Sequence, residues 1–150
     1  MRGGLPFTPS YSSCGEDIDT GPCRPNRVGK VRTFGSHLHW YTTTNGVPLQ
    51  PHGSPGDTVG PWQRPAPGTF GNAGRNSLIG PGFWQTDASI EKLFRLKERS
   101  ALQFRADIFN LFNRVNLATP DACVDCVGEG SVFVAVGQRR ALQFALRLQF

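Results

Sequence analysis

The stretch RRALQFALRLQF, Arg139 to Phe150, decides the fold. Its even positions are Leu142, Phe144, Leu146, Leu148 and Phe150, all large and apolar. Its odd positions are Ala141, Gln143, Ala145, Arg147 and Gln149, all small or polar. A period of two sustained over this length predicts an extended strand with one apolar face and one wet face. A helix would spread the five apolar side chains around its circumference. Both a soluble β-sandwich and a membrane barrel alternate in this way.

The same period recurs upstream. From Phe83, the residues Trp84, Thr86, Ala88, Ile90, Phe94 and Leu96 share one face, interrupted by Lys92. Gln85, Asp87, Ser89, Glu91 and Arg95 share the other, interrupted by Leu93. After Lys97-Glu98-Arg99 the pattern resumes, with Leu102, Phe104, Ala106 and Ile108 against Gln103, Arg105 and Asp107. Even residues must then face even residues across a hairpin, because a one-step slip would oppose apolar and polar side chains throughout. A three-residue loop at 97–99 meets that condition. It sets Phe94 opposite Leu102, Ile90 opposite Ala106 and Glu91 opposite Arg105, the last an opposite-charge pair. The segment IFNLFN, 108–113, breaks phase, which a bulge or internal packing would explain.

Composition divides the chain at the same place. Of 18 Gly and 12 Pro, 15 Gly and 11 Pro fall in residues 1–82, where long ladders are therefore not expected. The expected organisation is a Gly/Pro-rich, extracellular-loop-like region at 1–82 and antiparallel barrel strands at 83–150. Residues 46–82 read as coil, and residues 114–130 as a long polar loop. His37, Leu38, His39, Trp40 and Tyr41 form the one dense aromatic patch of the first region.

The net charge of +5 does not point to nucleic acid. Lys and Arg number 7 before residue 83 and 9 after it, against 4 and 7 acids, so neither region carries a basic run. GNAGRN, 71–76, lacks the strand, the Lys and the helix of a phosphate loop. Asp87, Glu91 and Asp107 alternate with Gln and Arg along a wet face, with nothing to suggest a catalytic carboxylate pair. No nucleophile–base constellation stands out, so no enzyme, cofactor or metal is expected, and the histidines read as surface residues.

Four cysteines form two local pairs, Cys14/Cys23 and Cys123/Cys126, in turn-rich stretches. Local disulfides in an oxidising compartment are the leading reading. Free thiols and a metal site remain open, although CGEDIDTGPC has the wrong spacing for half of a zinc knuckle.

Loop lengths add an orientation. Outer-membrane barrels have short periplasmic turns and long extracellular loops, with about ten tilted residues per crossing. If Phe150 ends at the periplasm, strand 141–150 descends, 100–112 ascends and 83–96 descends. The tight turn then lies inside and the long connections lie outside. MRGGLPFTPS has no apolar run of signal-peptide length, and no run reaches helical membrane-spanning length. The expectation is that the chain is the end of something longer.

Residues 68–116, GTFGNAGRNSLIGPGFWQTDASIEKLFRLKERSALQFRADIFNLFNRVN, together with the RALQFALRLQF terminus, resemble the C-terminal barrel strands of TonB-dependent outer-membrane receptors. The nearest subgroup is the Oar-like one, with a carboxypeptidase-regulatory-like domain. GLPFTPSYSSCGEDIDTGPCRPNRVG, 4–29, is similar to a long surface loop of that subgroup. The resemblance implies a place in the outer membrane and lipid against the apolar face. It further implies a barrel-assembly signature in Leu142, Phe144, Leu146, Leu148 and Phe150, read by the assembly machinery at Phe150. TonB would engage only N-terminal parts that these residues do not include, so transport by this chain alone is not expected. The fold class is all-β: a partial antiparallel β-barrel sheet of about three to five strands, preceded by a long irregular loop region. The competing reading is a small secreted β-module that binds a partner through the aromatic loop at 37–41.

Overall fold

The computed structural model describes residues 3–13, 15 and 23–150. Every element named among them is a strand, in the order β1 (Pro6–Phe7), β2 (Asn26–Arg27), β3 (Thr58–Val59), β4 (Trp62–Gln63), β5 (Leu78–Ile79), β6 (Ala88–Lys97), β7 (Ser100–Phe109), β8 (Asn116–Leu117), β9 (Ala135–Val136) and β10 (Ala141–Gln149). The fold is all-β, with the pairs β1–β5, β2–β4, β3–β4, β6–β7 and β7–β10 antiparallel, and no sheet among the described residues closes into a barrel. The chain forms two compact units, one of Phe83–Asn116 and Val136–Phe150, the other of Gly3–Gly82 and Leu117–Ala135.

The first unit is built on the three long strands, in the order β10-β7-β6. The register is the one that parity demands. Ile90 faces Ala106, Glu91 faces Arg105 and Phe94 faces Leu102 across β6–β7. Across β7–β10, Leu142 faces Ile108, Phe144 faces Ala106, Leu146 faces Phe104 and Leu148 faces Leu102. The apolar face is therefore continuous over three strands.

Three local expectations change. The hairpin closes through two turn residues, Glu98 and Arg99, because Lys97 pairs with Ser100 and the register shifts between Arg95 and Lys97. The extra residue is Leu96, and this bulge lets a shorter turn keep the even-to-even register. Strand β6 begins at Ala88, not at Phe83. The Trp84 backbone is instead held by the Asn116 side chain, whose Oδ1 accepts from the Trp84 amide (2.9 Å) while its Nδ2 donates to the Trp84 carbonyl (3.0 Å). The phase break at IFNLFN is a strand end: β7 stops at Phe109, and Asn110 and Asn113 both take left-handed φ (51° and 49°).

The second unit contains the Gly/Pro-rich residues, and it is not loose coil. Its ladders are only two residues long, β1 with β5 and the sheet β2-β4-β3. Yet Phe7, Tyr11, Tyr41, Leu49, Trp62, Ala73, Leu78 and Val124 form one buried cluster. Backbone groups pair singly across loops: Ser10 N donates to Ala122 O (2.9 Å), Val124 N to Ser10 O (2.8 Å) and Ala73 N to Pro25 O (3.1 Å). Pro9, Pro25 and Pro65 are fully buried, and each brings apolar surface inside without an amide that needs a partner. Two glycines permit the packing directly. A Cβ on Gly4 would overlap the Gly80 carbonyl, and one on Gly71 would overlap that of Arg24.

Trp62 and Tyr41 anchor this core. The indole Nε1 of Trp62 donates to Thr42 O (2.7 Å), and the Tyr41 hydroxyl donates to Asp121 O (3.0 Å). The Tyr41 ring meets Phe7 edge-on at 5.5 Å. Burial, reinforced by the negative charges of Asp121 and Glu129, pushes the Tyr41 phenol well above the usual range.

Candidate membrane-facing surface

The three long strands present two chemically different faces. One carries Ile90, Phe94, Leu102, Phe104, Ile108, Leu142, Phe144, Leu146 and Leu148 in register. The other carries Ser89, Glu91, Gln103, Arg105, Asp107, Gln143, Arg147 and Gln149. Strand β10 is exposed at every residue, on both faces, so accessibility alone does not separate them. Chemistry does: Phe144 is 66% and Leu146 71% exposed, a disposition that water does not favour and lipid does. Phe104 and Phe144 stack across the strands at 6.2 Å. A ten-residue strand such as β7 extends roughly 33 Å, and the usual barrel tilt reduces this to roughly 25 Å, the height of an outer-membrane apolar band.

The wet face is tied by its own side chains. Ser89 Oγ donates to Asp107 (2.6 Å), and Gln103 Nε2 donates to Glu91. Arg105 makes its ion pair with Asp107 on its own strand (2.9 Å), while Glu91, its cross-strand neighbour, is taken by Gln103. The Glu91–Arg105 juxtaposition is therefore present in the register, but Arg105 finds its carboxylate two residues along. Lys92 interrupts the apolar face, in the row with Phe104 and Leu146. A lysine in such a place lays its stem along apolar surface and carries its charge toward the headgroups.

The end of the sheet where β7 stops is fixed by Asn110, a role that the sequence did not reveal. Its Nδ2 donates to Arg114 O (2.9 Å) and to Gln138 O (2.8 Å), and its Oδ1 accepts from Arg114 N (2.9 Å). Its own amide donates to Asp87 Oδ1 (2.8 Å), just before β6, and Asn113 Oδ1 accepts from Arg140 N (3.3 Å), just before β10. The asparagines of NLFN thus lock the ends of three strands together. Trp84 and Phe112 pack at 5.3 Å near the same end, with the Arg114 guanidinium 5.6 Å over the Trp84 ring. Clustered aromatics at one end of an apolar face are what an interfacial girdle consists of. The two asparagines at 110 and 113, flanking Leu111 and Phe112, were the available sequence signal.

The remaining sequence candidates lie in the second unit. Cys123 and Cys126 are disulfide-bonded to each other. Cys23 is also disulfide-bonded, and its expected partner Cys14 lies outside the described residues. Sulfurs of Cys123 and Cys126 lie with the Asp125 carboxylate within 4.8 Å of one another. The donor set does not fit a metal, because the sulfurs are bonded. The carboxylate is also occupied, accepting from Ser12 N (2.8 Å), Ser12 Oγ (2.9 Å) and Leu49 N (3.1 Å). The aromatic patch at 37–41 is split by the fold. His37, Leu38 and His39 are exposed, Trp40 is half-buried with its Nε1 on Ile79 O (2.8 Å), and Tyr41 is core. A binding loop that relied on all five residues is not what forms.

Among the described residues no helix is long and apolar enough to cross a membrane, a fact that leaves strands untouched. The family model of the outer membrane beta barrel domain matches residues 1–143. No curated protein and no solved structure matches the chain. The family match covers nearly the whole chain and agrees with a sheet whose apolar face is in register over three strands. The chain belongs to the outer membrane beta barrel domain family, and its place is the outer membrane.

Proposed function

We propose that this chain is the C-terminal barrel segment of a TonB-dependent outer-membrane receptor of the Oar-like, carboxypeptidase-regulatory-like subgroup. Its role is structural and not enzymatic: a piece of barrel wall together with surface loops. The observation that carries the wall role is the apolar face held in register through β6, β7 and β10. The subgroup rests on the resemblance of residues 68–116 and of the terminus. Lipid covers the apolar face, and further strands of the same barrel pair with the free edges of β6 and β10, since open edges are not stable in a bilayer. Phe150 is the contact for the barrel-assembly machinery. Energy coupling through TonB belongs to parts of the receptor outside these residues, so the segment does not transport by itself.

Single spin labels introduced by Leu146→Cys and Ala145→Cys, in protein reconstituted into vesicles, test the wall role. The Leu146 label is expected to collide readily with oxygen and poorly with a water-soluble nickel chelate, and the Ala145 label to do the reverse. Equal access of the chelate to both labels would overturn it. The receptor assignment is tested on the DNA upstream of Met1, where in-frame barrel strands are expected and a stop codon followed by an unrelated gene would refute it.

A further inference from the structure

Arg114 and Arg140 are brought together at the end of the sheet where β7 stops. The Asn110 Nδ2 donates both to Arg114 O (2.9 Å) and to Gln138 O (2.8 Å), and two carbonyls that share one donor nitrogen lie within a few ångströms of each other. The Arg140 amide donates in turn to Asn113 Oδ1 (3.3 Å). These bonds use only backbone groups of the two arginines, so the clamp leaves both guanidiniums to other partners. Both residues are exposed, and among the described residues no carboxylate pairs with either. Asp87, the acid of the same clamp, accepts from the Asn110 amide (2.8 Å) and from Gln85 Nε2 (2.9 Å).

Their height on the sheet matters as much as their charge. Leu142, Ile108 and Ala88 form the first row of the apolar face. Arg140 stands two residues before Leu142, on the apolar side of its strand, and Arg139 stands on the wet side. The Arg114 guanidinium lies 5.6 Å over the Trp84 ring, which packs at 5.3 Å on the exposed Phe112. A cation stacked on a girdle aromatic is held at the level of the lipid headgroups. Its paired donors match two oxygens of a phosphate.

We propose that Arg114 and Arg140 bind the phosphate of a membrane lipid at the rim of the apolar face, with the chains of that lipid against Phe112 and Leu142. A free anion gains nothing from the apolar rows below the arginines, whereas a phospholipid covers those rows and carries its phosphate at the arginines' height. The inference rests on the wall role and adds a specific ligand to it.

The full chain, in micelles of a neutral detergent with its disulfides intact, is titrated with dioleoyl phosphatidic acid, and the arginine Nε–Hε NMR signals are followed. Saturable shifts at Arg114 and Arg140 are expected. Arg140→Gln should weaken the affinity at least about tenfold, the loss expected for a charge-assisted bond. Arg114→Lys keeps the charge but gives up the paired donors and the stacked plane, and should weaken it several-fold. Arg139→Gln, on the other side of the strand, should change it by less than about twofold. None of these substitutions removes a bond of the clamp, so the sheet end is kept in all three. Equal weakening by Arg139→Gln and Arg140→Gln would reduce the site to diffuse attraction and overturn the proposal. So would an equal affinity for oleate, which has the charge without the phosphate, or for inorganic phosphate without a lipid. The spin label at Leu146→Cys, in the same micelles, separates this failure from failure of the wall. A label shielded from the nickel chelate with no saturable arginine shift overturns the lipid site alone, and a label open to the chelate overturns both.

Discussion

Replacing Asn110 should release the end of the β-sheet, and the size of the effect follows from its contacts. The side chain is 1% exposed and makes three hydrogen bonds, two from Nδ2 and one to Oδ1. Asn110→Ala removes all three and leaves the amide of Arg114 and the carbonyls of Arg114 and Gln138 without their partner. At about 1 kcal/mol for each bond, the loss is about 3 kcal/mol. Alanine must also hold φ near 51°, which adds about 1 kcal/mol for a residue with a Cβ. Asn110→Gly loses the same bonds but escapes that conformational term, so the glycine variant should be the milder of the two by about 1 kcal/mol. The assay is amide hydrogen exchange of Leu111 and Arg114 in the full chain in detergent. Leu111 N donates to Thr86 O (2.8 Å) and therefore reports on the junction without being altered itself. Where that junction opens locally, a loss of about 3 kcal/mol corresponds to protection lower by about two orders of magnitude. Glycine should retain about fivefold more protection than alanine. Unchanged protection in both variants would show that Asn110 does not hold the strand ends. Equal loss in both would remove the argument from φ.

Leu146→Arg, in the middle row of the apolar face, should destabilise the protein in vesicles by about 2–4 kcal/mol, and Ala145→Arg on the wet face by far less; denaturant titration compares them. Asp57 is held below the usual carboxylate range, first by the Gly53 amide, against an opposing effect of desolvation, and then by the Thr58 hydroxyl, the Gln63 amide and the nearby His52. Because its folded-state value is depressed, its contribution is present at neutral pH and is lost as pH falls through that value. Asp57→Asn should therefore flatten the acid limb of a stability–pH profile and leave its slope near neutrality unchanged. Replacing Cys123 and Cys126 by Ser opens a four-residue loop and should cost up to about 2 kcal/mol by chain entropy. The Ser12 amide, which donates to Asp125 between them, should exchange faster, and an unaltered Ser12 amide would count against that coupling.

The sheet was legible because period two leaves little freedom. Once Ile90, Phe94, Leu102 and Phe104 must share a face, only an even register survives, and the pairing of Phe94 with Leu102 follows. The turn was less legible, since a bulge at Leu96 preserves parity while changing the loop length. Least legible was the core of the second unit. Phe7, Tyr11, Tyr41, Trp62 and Val124 fall at irregular intervals among Gly and Pro, and no periodicity marks them as buried. They pack because loops cross one another closely at residues such as Gly4 and Gly71, a property of distant backbone segments that a local window cannot contain. The asparagines of NLFN were visible as a motif, but their role required Arg114, Gln138 and Arg140 to be placed beside them.

The parallel bridge between Ser10 and Cys123, with Tyr41 bonded to Asp121 80 positions away, has a consequence for how the protein is made. The core of the second unit draws on segments far apart in sequence, Phe7 and Tyr11 on one side and Val124 on the other. As the chain leaves the ribosome, Tyr41 and Trp62 emerge while Val124, the side chain that completes their cluster, is still to come. The aromatic residues must then stay wet, or be shielded by a helper, until Val124 has been made. Such late closure makes this unit a slow folder by topology, and makes its nascent state, not its finished one, the stage most in need of a chaperone.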